Sequence, residues 1–125
     1  MRVIALEEHF TAPHLVARID KSLIQARGFR ARTVPSNGPS PMDLAKEIGA
    51  ERLRRMDESG IDVQVLSNTG AGPDLVPGQE GVKLAQMMND YLAEKVAEKP
   101  DRFQGFAVLP MADPKSCADE FLRCV

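Results

Sequence analysis

Short aliphatic segments alternating with amphipathic helical segments predict an α/β chain built on a parallel sheet. Residues 2–6, 61–66 and 103–109 are the strand candidates, each bounded by turn residues, and the stretches between them repeat apolar residues at helical spacing. Strands alternating with helices imply a parallel sheet built by right-handed crossovers. Three such units are legible.

The first strand leads into Glu7, Glu8 and His9. Side chains alternate along a strand, which puts Glu7 and His9 on one face and Glu8 on the other. Thr11 and Pro13 then read as an N-cap and a first-turn proline for a short helix carrying Leu15, Val16 and Ile19. Residues 27–40 are aperiodic and rich in Gly, Pro and Ser, a loop or insertion. Ser40, Pro41 and Asp43 open the next helix, with Leu44, Ile48, Leu53 and Met56 as its apolar stripe and Gly60 as its end. The stripe predicts one helix of about four to five turns at 3.6 residues per turn.

Residues 61–66 are a buried strand by their β-branched content, and 69–81 a long Gly/Pro loop. Val82, Ala85, Met88, Leu92 and Val96 mark a helix with a charged opposite face, stopped at Pro100. Residues 103–109 form the third strand, and Asp113 with Pro114 caps a last helix lined by Cys117, Ala118, Phe121, Leu122 and Val125. That helix meets no terminating signal, so the sequence reads as one domain, residues 1–125, truncated at its C-terminus. Phe106, Val108 and Phe121 are then expected to be exposed where neighbouring units are lacking.

With 125 residues and 43% hydrophobic content the chain falls in the globular class. Its 16 basic and 18 acidic residues show no strong clustering, which argues against a nucleic-acid or anionic-lipid partner. The early apolar run, residues 3–6, is too short for a signal peptide or membrane span, and a soluble, cytoplasmic protein is expected. Cys117 and Cys124 lie two helical turns apart, too far to bond to each other, and fit no zinc-site spacing.

A carboxylate and an imidazole on one strand face suit zinc or manganese, cations that accept mixed oxygen and nitrogen donors. Alone, such a pair more often just meets nearby loops. Two further motifs reverse that weighting: Lys99-Pro100-Asp101-Arg102-Phe103 leading into Gly105-Phe106-Ala107, and Leu109-Pro110-Met111-Ala112-Asp113-Pro114. With Ala5-Leu6-Glu7-Glu8-His9-Phe10, their order and spacing resemble the N-terminal part of the amidohydrolase-related decarboxylases of the γ-resorcylate and 2,3-dihydroxybenzoate type.

The resemblance implies about the first three-eighths of a TIM-type (β/α)8 barrel, with the site at the carboxyl ends of the strands. It implies Glu7 and His9 as ligands of a divalent metal, Zn or Mn, with Glu8 outside the metal shell. It also implies a small aromatic carboxylic acid as substrate, non-oxidative decarboxylation as reaction, and a homo-oligomer for a full-length member. Asn68 and Thr69, at the start of the 69–81 loop, are candidate substrate contacts. His14 reads as a solvent-facing or capping residue and stays outside the metal shell. The other readings are a metal-dependent lactone or amide hydrolase of the same superfamily, or a catalytically dead fragment; with two ligands and half a barrel's length, this chain alone is expected to be inactive.

Overall fold

A computed structural model describes residues 1–28 and 38–125. It contains three strands, β1 (Ile4–Phe10), β2 (Val63–Asn68) and β3 (Phe103–Gly105), in one sheet of order β1-β2-β3. Both strand pairs are parallel. Helices α1 (Pro13–Val16), α2 (Lys21–Ala26), α3 (Pro41–Lys46) and α4 (Ala50–Ser59) lie between β1 and β2. Helix α5 (Gly78–Glu98) lies between β2 and β3, and α6 (Pro114–Cys124) follows β3. Three parallel strands alternating with helices are the opening arrangement of a (β/α)8 barrel, as expected.

The register assigns the faces of the sheet. Gln64 pairs with Ala5 and Phe103, and Leu66 with Glu8 and Gly105, so these residues share one side. That side meets the helices: Phe10, Leu66 and Phe103 pack with Ile48, Met56 and Leu92 in one apolar core. A second core joins α1 to α5 through Ala12, Leu15, Ile19, Ala71, Leu84 and Met88. The opposite side of the sheet carries Ile4, Val63, Val65, His9 and Ser67. Ile4 and Leu6 on β1 are 52% and 65% exposed, and Phe106 just past β3 is 47% exposed, an uncovered apolar surface where a closed barrel would have its interior. Phe121 is exposed too, as expected, whereas Val108 is half-buried because its backbone is held by Asn89.

Local chemistry accounts for the element ends. Ser40 and Asp43 form a reciprocal capping box at α3. Lys46 and Ser40 hydrogen-bond the Asp43 carboxylate and hold its pKa down at about 2. Gly60 ends α4 in the left-handed conformation, φ 67°, that glycine adopts without a Cβ penalty. Arg102 explains the motif before β3: its Nε donates to the Asp62 carbonyl at 2.8 Å and its Nη2 to Asp57 Oδ1 at 2.7 Å, tying the start of β3 to the end of α4. Pro110 is buried, its carbonyl accepting from the Asp113 amide at 2.7 Å.

Several expectations need correction. The single helix expected from Pro41 to its end at Gly60 is two helices, broken where the chain extends at Glu47 and restarts at the Gly49 cap; Glu47 Oε2 accepts from the Arg52 amide at 2.7 Å and supplies the cap that glycine lacks. Thr11 does not cap α1. It is buried and its amide donates to the Ala45 carbonyl at 2.9 Å, while Ala12 holds the cap position. Strand β2 runs two residues further than the aliphatic run, to Asn68. β3 is shorter than expected, and Asp113 makes no side-chain cap at α6.

The 69–81 loop contains a 3₁₀ turn, Pro73–Leu75, and α5 has already begun at Gly78. On α6 the buried residue is not an apolar one but Glu120, 2% exposed, whereas Phe121, Leu122 and Val125 face outward. The loop expected over 27–40 falls mostly on residues 29–37, outside the described residues.

Candidate metal-binding strand end

The site candidate is the carboxyl end of β1, where the sheet register is irregular. Ala5 pairs with Gln64 and Glu8 with Leu66, so that Leu6 and Glu7 together stand opposite Val65. This one-residue bulge bends the strand just before His9. Glu7 occupies it with φ 59°, the only positive φ among non-glycine residues described. A side chain with a Cβ in that region costs about 1–2 kcal/mol. Strain of this size persists where the surrounding structure dictates it, and such residues concentrate at functional sites.

Beyond the bulge the register is regular: His9 pairs with Ser67 and Phe10 with Asn68. His9 is exposed, and its Nδ1 lies 3.3 Å from Ser67 Oγ. Glu8 points to the helix side. Its Oε2 accepts from Gln64 Nε2 at 3.1 Å, and it lines a cavity of about 300 Å3 with Glu47, Arg52 and Gln64. Arg52 reaches from α4 into the same region, where its Nη2 donates to the His9 carbonyl. Burial lowers the Arg52 pKa from its ordinary value, opposed by the Glu8 and Glu47 carboxylates. Arg52 Nη1 and Gln64 Oε1 are buried with no hydrogen-bond partner among the described residues.

Asn68 and Thr69 are both half-buried at the end of β2. The register puts Asn68 on the helix side with Phe10, and its buried Oδ1 has no partner among the described residues. The Thr69 amide donates to the Phe10 carbonyl at 2.9 Å and so continues the strand pairing. The residue that shares the face of His9 is Ser67, which sequence reasoning missed. Extending the second strand past its last aliphatic residue would have found it. His14 is exposed and sits edge-on to Tyr91, ring centroids 5.3 Å apart.

Glu7, in the bulge, and His9, just past it, are an oxygen and a nitrogen donor type two residues apart at one strand end, a combination that fits a hard or borderline cation, but the bulge breaks the strict alternation that was expected to put both on one face. Among the described residues no group of three or more His, Cys, Asp or Glu could hold a metal by itself. Catalytic zinc sites take three protein ligands, so the pair fits as part of a shell rather than as a whole one.

No protein-family model matches the chain. It is, however, 40% identical to a γ-resorcylate decarboxylase from Polaromonas sp. over 98% of its own length. In structure it resembles a 2,6-dihydroxybenzoate decarboxylase crystallised with 2,6-dihydroxybenzoate, at a TM-score of 0.76 and 34% identity over the whole chain. The chain matches part of the amidohydrolase-related decarboxylases. A dihydroxybenzoic acid decarboxylase of that family from Polaromonas sp., crystallised with manganese and 2-nitroresorcinol, matches at a TM-score of 0.72 and 35% identity. The chain spans 35% of the γ-resorcylate decarboxylase and 36% and 35% of the two solved family members. No described helix is long and apolar enough to cross a membrane.

Proposed function

We propose that this chain is the N-terminal portion of a metal-dependent, non-oxidative decarboxylase of hydroxybenzoate-type aromatic acids. The observation that carries the reading is the bulged end of β1, where Glu7 is held in the left-handed region one turn of the pleat before His9. Such a local cost is understandable if the carboxylate and imidazole serve together as ligands. A divalent cation, Mn or Zn, would supply charge stabilisation and orientation for an aromatic carboxylate. In this reading Glu7 and His9 contribute two of the donors. Glu8 and Asn68 remain on the helix side, and Thr69, just past the end of β2, is the candidate substrate contact that remains.

The names of the γ-resorcylate and dihydroxybenzoate decarboxylases among the relatives favour this chemistry over lactone or amide hydrolysis. A cytoplasmic homo-oligomer is the form we assign to the complete enzyme, and the two free cysteines, Cys117 and Cys124, accord with a reducing compartment.

The test is a polypeptide that continues this chain through a closed barrel, loaded with Mn2+ and given 2,6-dihydroxybenzoate. Carbon dioxide release that Glu7→Ala and His9→Ala each abolish is expected, while the 125-residue chain alone is inactive and binds Mn2+ weakly. Full activity in the Glu7→Ala and His9→Ala variants would remove the reading.

A further inference from the structure

We propose that Ser67 is a positioning residue for His9: its hydroxyl holds the imidazole by Nδ1, so that Nε2 is the nitrogen presented to a cation. The inference rests on the reading of His9 as a metal donor. Its geometric basis is the pairing of β1 with β2, which makes His9 and Ser67 direct register partners on the same side of the sheet, Nδ1 to Oγ at 3.3 Å.

A neutral imidazole has one N–H and one free lone pair, and the group that engages one nitrogen decides what the other can do. When Nε2 is the donor, the ring proton sits on Nδ1 and the Ser67 oxygen accepts it. A hydroxyl suits this role because its own proton rotates away and it brings no charge that would compete with Glu7 for the cation. Metal-binding histidines generally rely on such a partner for ring orientation, and its removal weakens binding by about 10- to 100-fold.

Neither of the two residues that follow can replace Ser67. Asn68 faces the helices, and the Thr69 backbone lies past the last register pair, bonded to Phe10 at 2.9 Å. The spacing is rigid for the same reason: the Thr69 to Phe10 bond closes the strand pair one step beyond His9 and Ser67.

The experiment uses the 125-residue chain, labelled with nitrogen-15 at histidine and carrying His14→Gln to leave one imidazole. It is titrated with Zn2+ while two-bond nitrogen–proton spectra identify the metallated nitrogen. The unsubstituted Ser67 chain is expected to bind through Nε2. Ser67→Ala should lower the affinity about tenfold and spread metallation over both nitrogens, and Ser67→Thr, which keeps a hydroxyl, should restore Nε2. Zn2+ bound through Nε2 with unchanged affinity in Ser67→Ala would overturn the proposal. Before metal is added, a nuclear Overhauser contact between the His9 ring proton Hε1 and the Ser67 β protons is expected, and its absence overturns the positioning irrespective of the titration. If that contact is present but no Zn2+ reaches His9, the donor reading fails while the positioning of the ring stands.

Discussion

Arg52 Nη2 donates to the main-chain carbonyl of His9, joining helix α4 to the end of β1 across 43 residues of sequence. The Phe10 carbonyl bonds toward β2, so the adjacent His9 carbonyl points to the opposite, unpaired edge of the strand. A guanidinium therefore occupies an edge position that would otherwise leave a bare acceptor. Arg54 and Arg55 on the same helix behave differently, pairing with Glu51 on the surface, where an ion pair contributes little.

From this contact follows a stability prediction. Arg52→Ala removes the hydrogen bond and takes a half-buried cation away from the neighbourhood of Glu8 and Glu47, at an expected cost of about 2 kcal/mol. Arg52→Lys keeps the charge but not the planar fork and should fall between the two. Urea unfolding midpoints measure this. An Arg52→Ala chain within about 0.5 kcal/mol of the parent would show that the edge contact is energetically idle.

The left-handed backbone at Glu7 gives a second, opposite expectation. Glycine adopts that region freely, so Glu7→Gly should be more stable than Glu7→Ala by about 1 kcal/mol, although glycine ordinarily loses to alanine in a strand. Both substitutions remove the proposed ligand, so the comparison isolates the backbone from the metal. Thermal unfolding of the two variants side by side decides it; equal midpoints would mean that Glu7 is unstrained in solution.

Helix and strand order were legible in the sequence because the aliphatic runs and the apolar stripe at Val82, Ala85, Met88 and Leu92 carry distinct periods. The face assignment of Glu8 was legible too, since alternation resumes after the bulge. The bulge itself was not. Nothing in Leu6 or Glu7 announces a left-handed residue, because glutamate is a poor occupant of that region and only the pairing with β2 imposes it. The break between α3 and α4 was hidden in the same way: Leu44, Ile48 and Met56 keep helical spacing, but Ile48 reaches the core from an extended link. Ser67 escaped notice because a serine after an aliphatic run resembles the start of a loop.

Gly81 makes a third prediction. It is buried in the first turns of α5, and a Cβ built there would lie 2.0 Å from the Val76 carbonyl oxygen, a backbone atom that cannot move aside without shifting the turn. Gly81→Ala should therefore destabilise by about 1–3 kcal/mol despite alanine's higher helix propensity. Gly78 is also in α5, but its Cβ would meet nothing; its φ of 64° makes Gly78→Ala a conformational penalty rather than a steric one. Denaturant melts of the Gly81 variant check the prediction, and a neutral result would show that the preceding turn is pliable.

The last prediction concerns acid. Glu120 is the buried charge of α6, and its carboxylate accepts from Arg123 Nη2 at 2.7 Å and from Asn89 Nδ2 at 2.6 Å. The Arg123 hydrogen bond is the main reason its pKa lies below the ordinary 4.5, with burial opposing and Asn89 assisting. Asn89 in turn holds the Val108 backbone, accepting from its amide at 2.8 Å and donating to its carbonyl at 2.9 Å, so the carboxylate anchors the chain after β3 as well as α6. A carboxyl whose folded pKa is depressed adds stability that is complete above its unfolded value and is lost as pH falls through the folded one. The chain should hold that contribution at neutral pH and shed it from about pH 4.5 downward. Glu120→Gln, isosteric but uncharged, should be less stable at pH 7 and show a shallower decline on acidification, so that the two melting curves converge at low pH. Parallel acid profiles for parent and variant would mean that Glu120 does not govern this part of the fold.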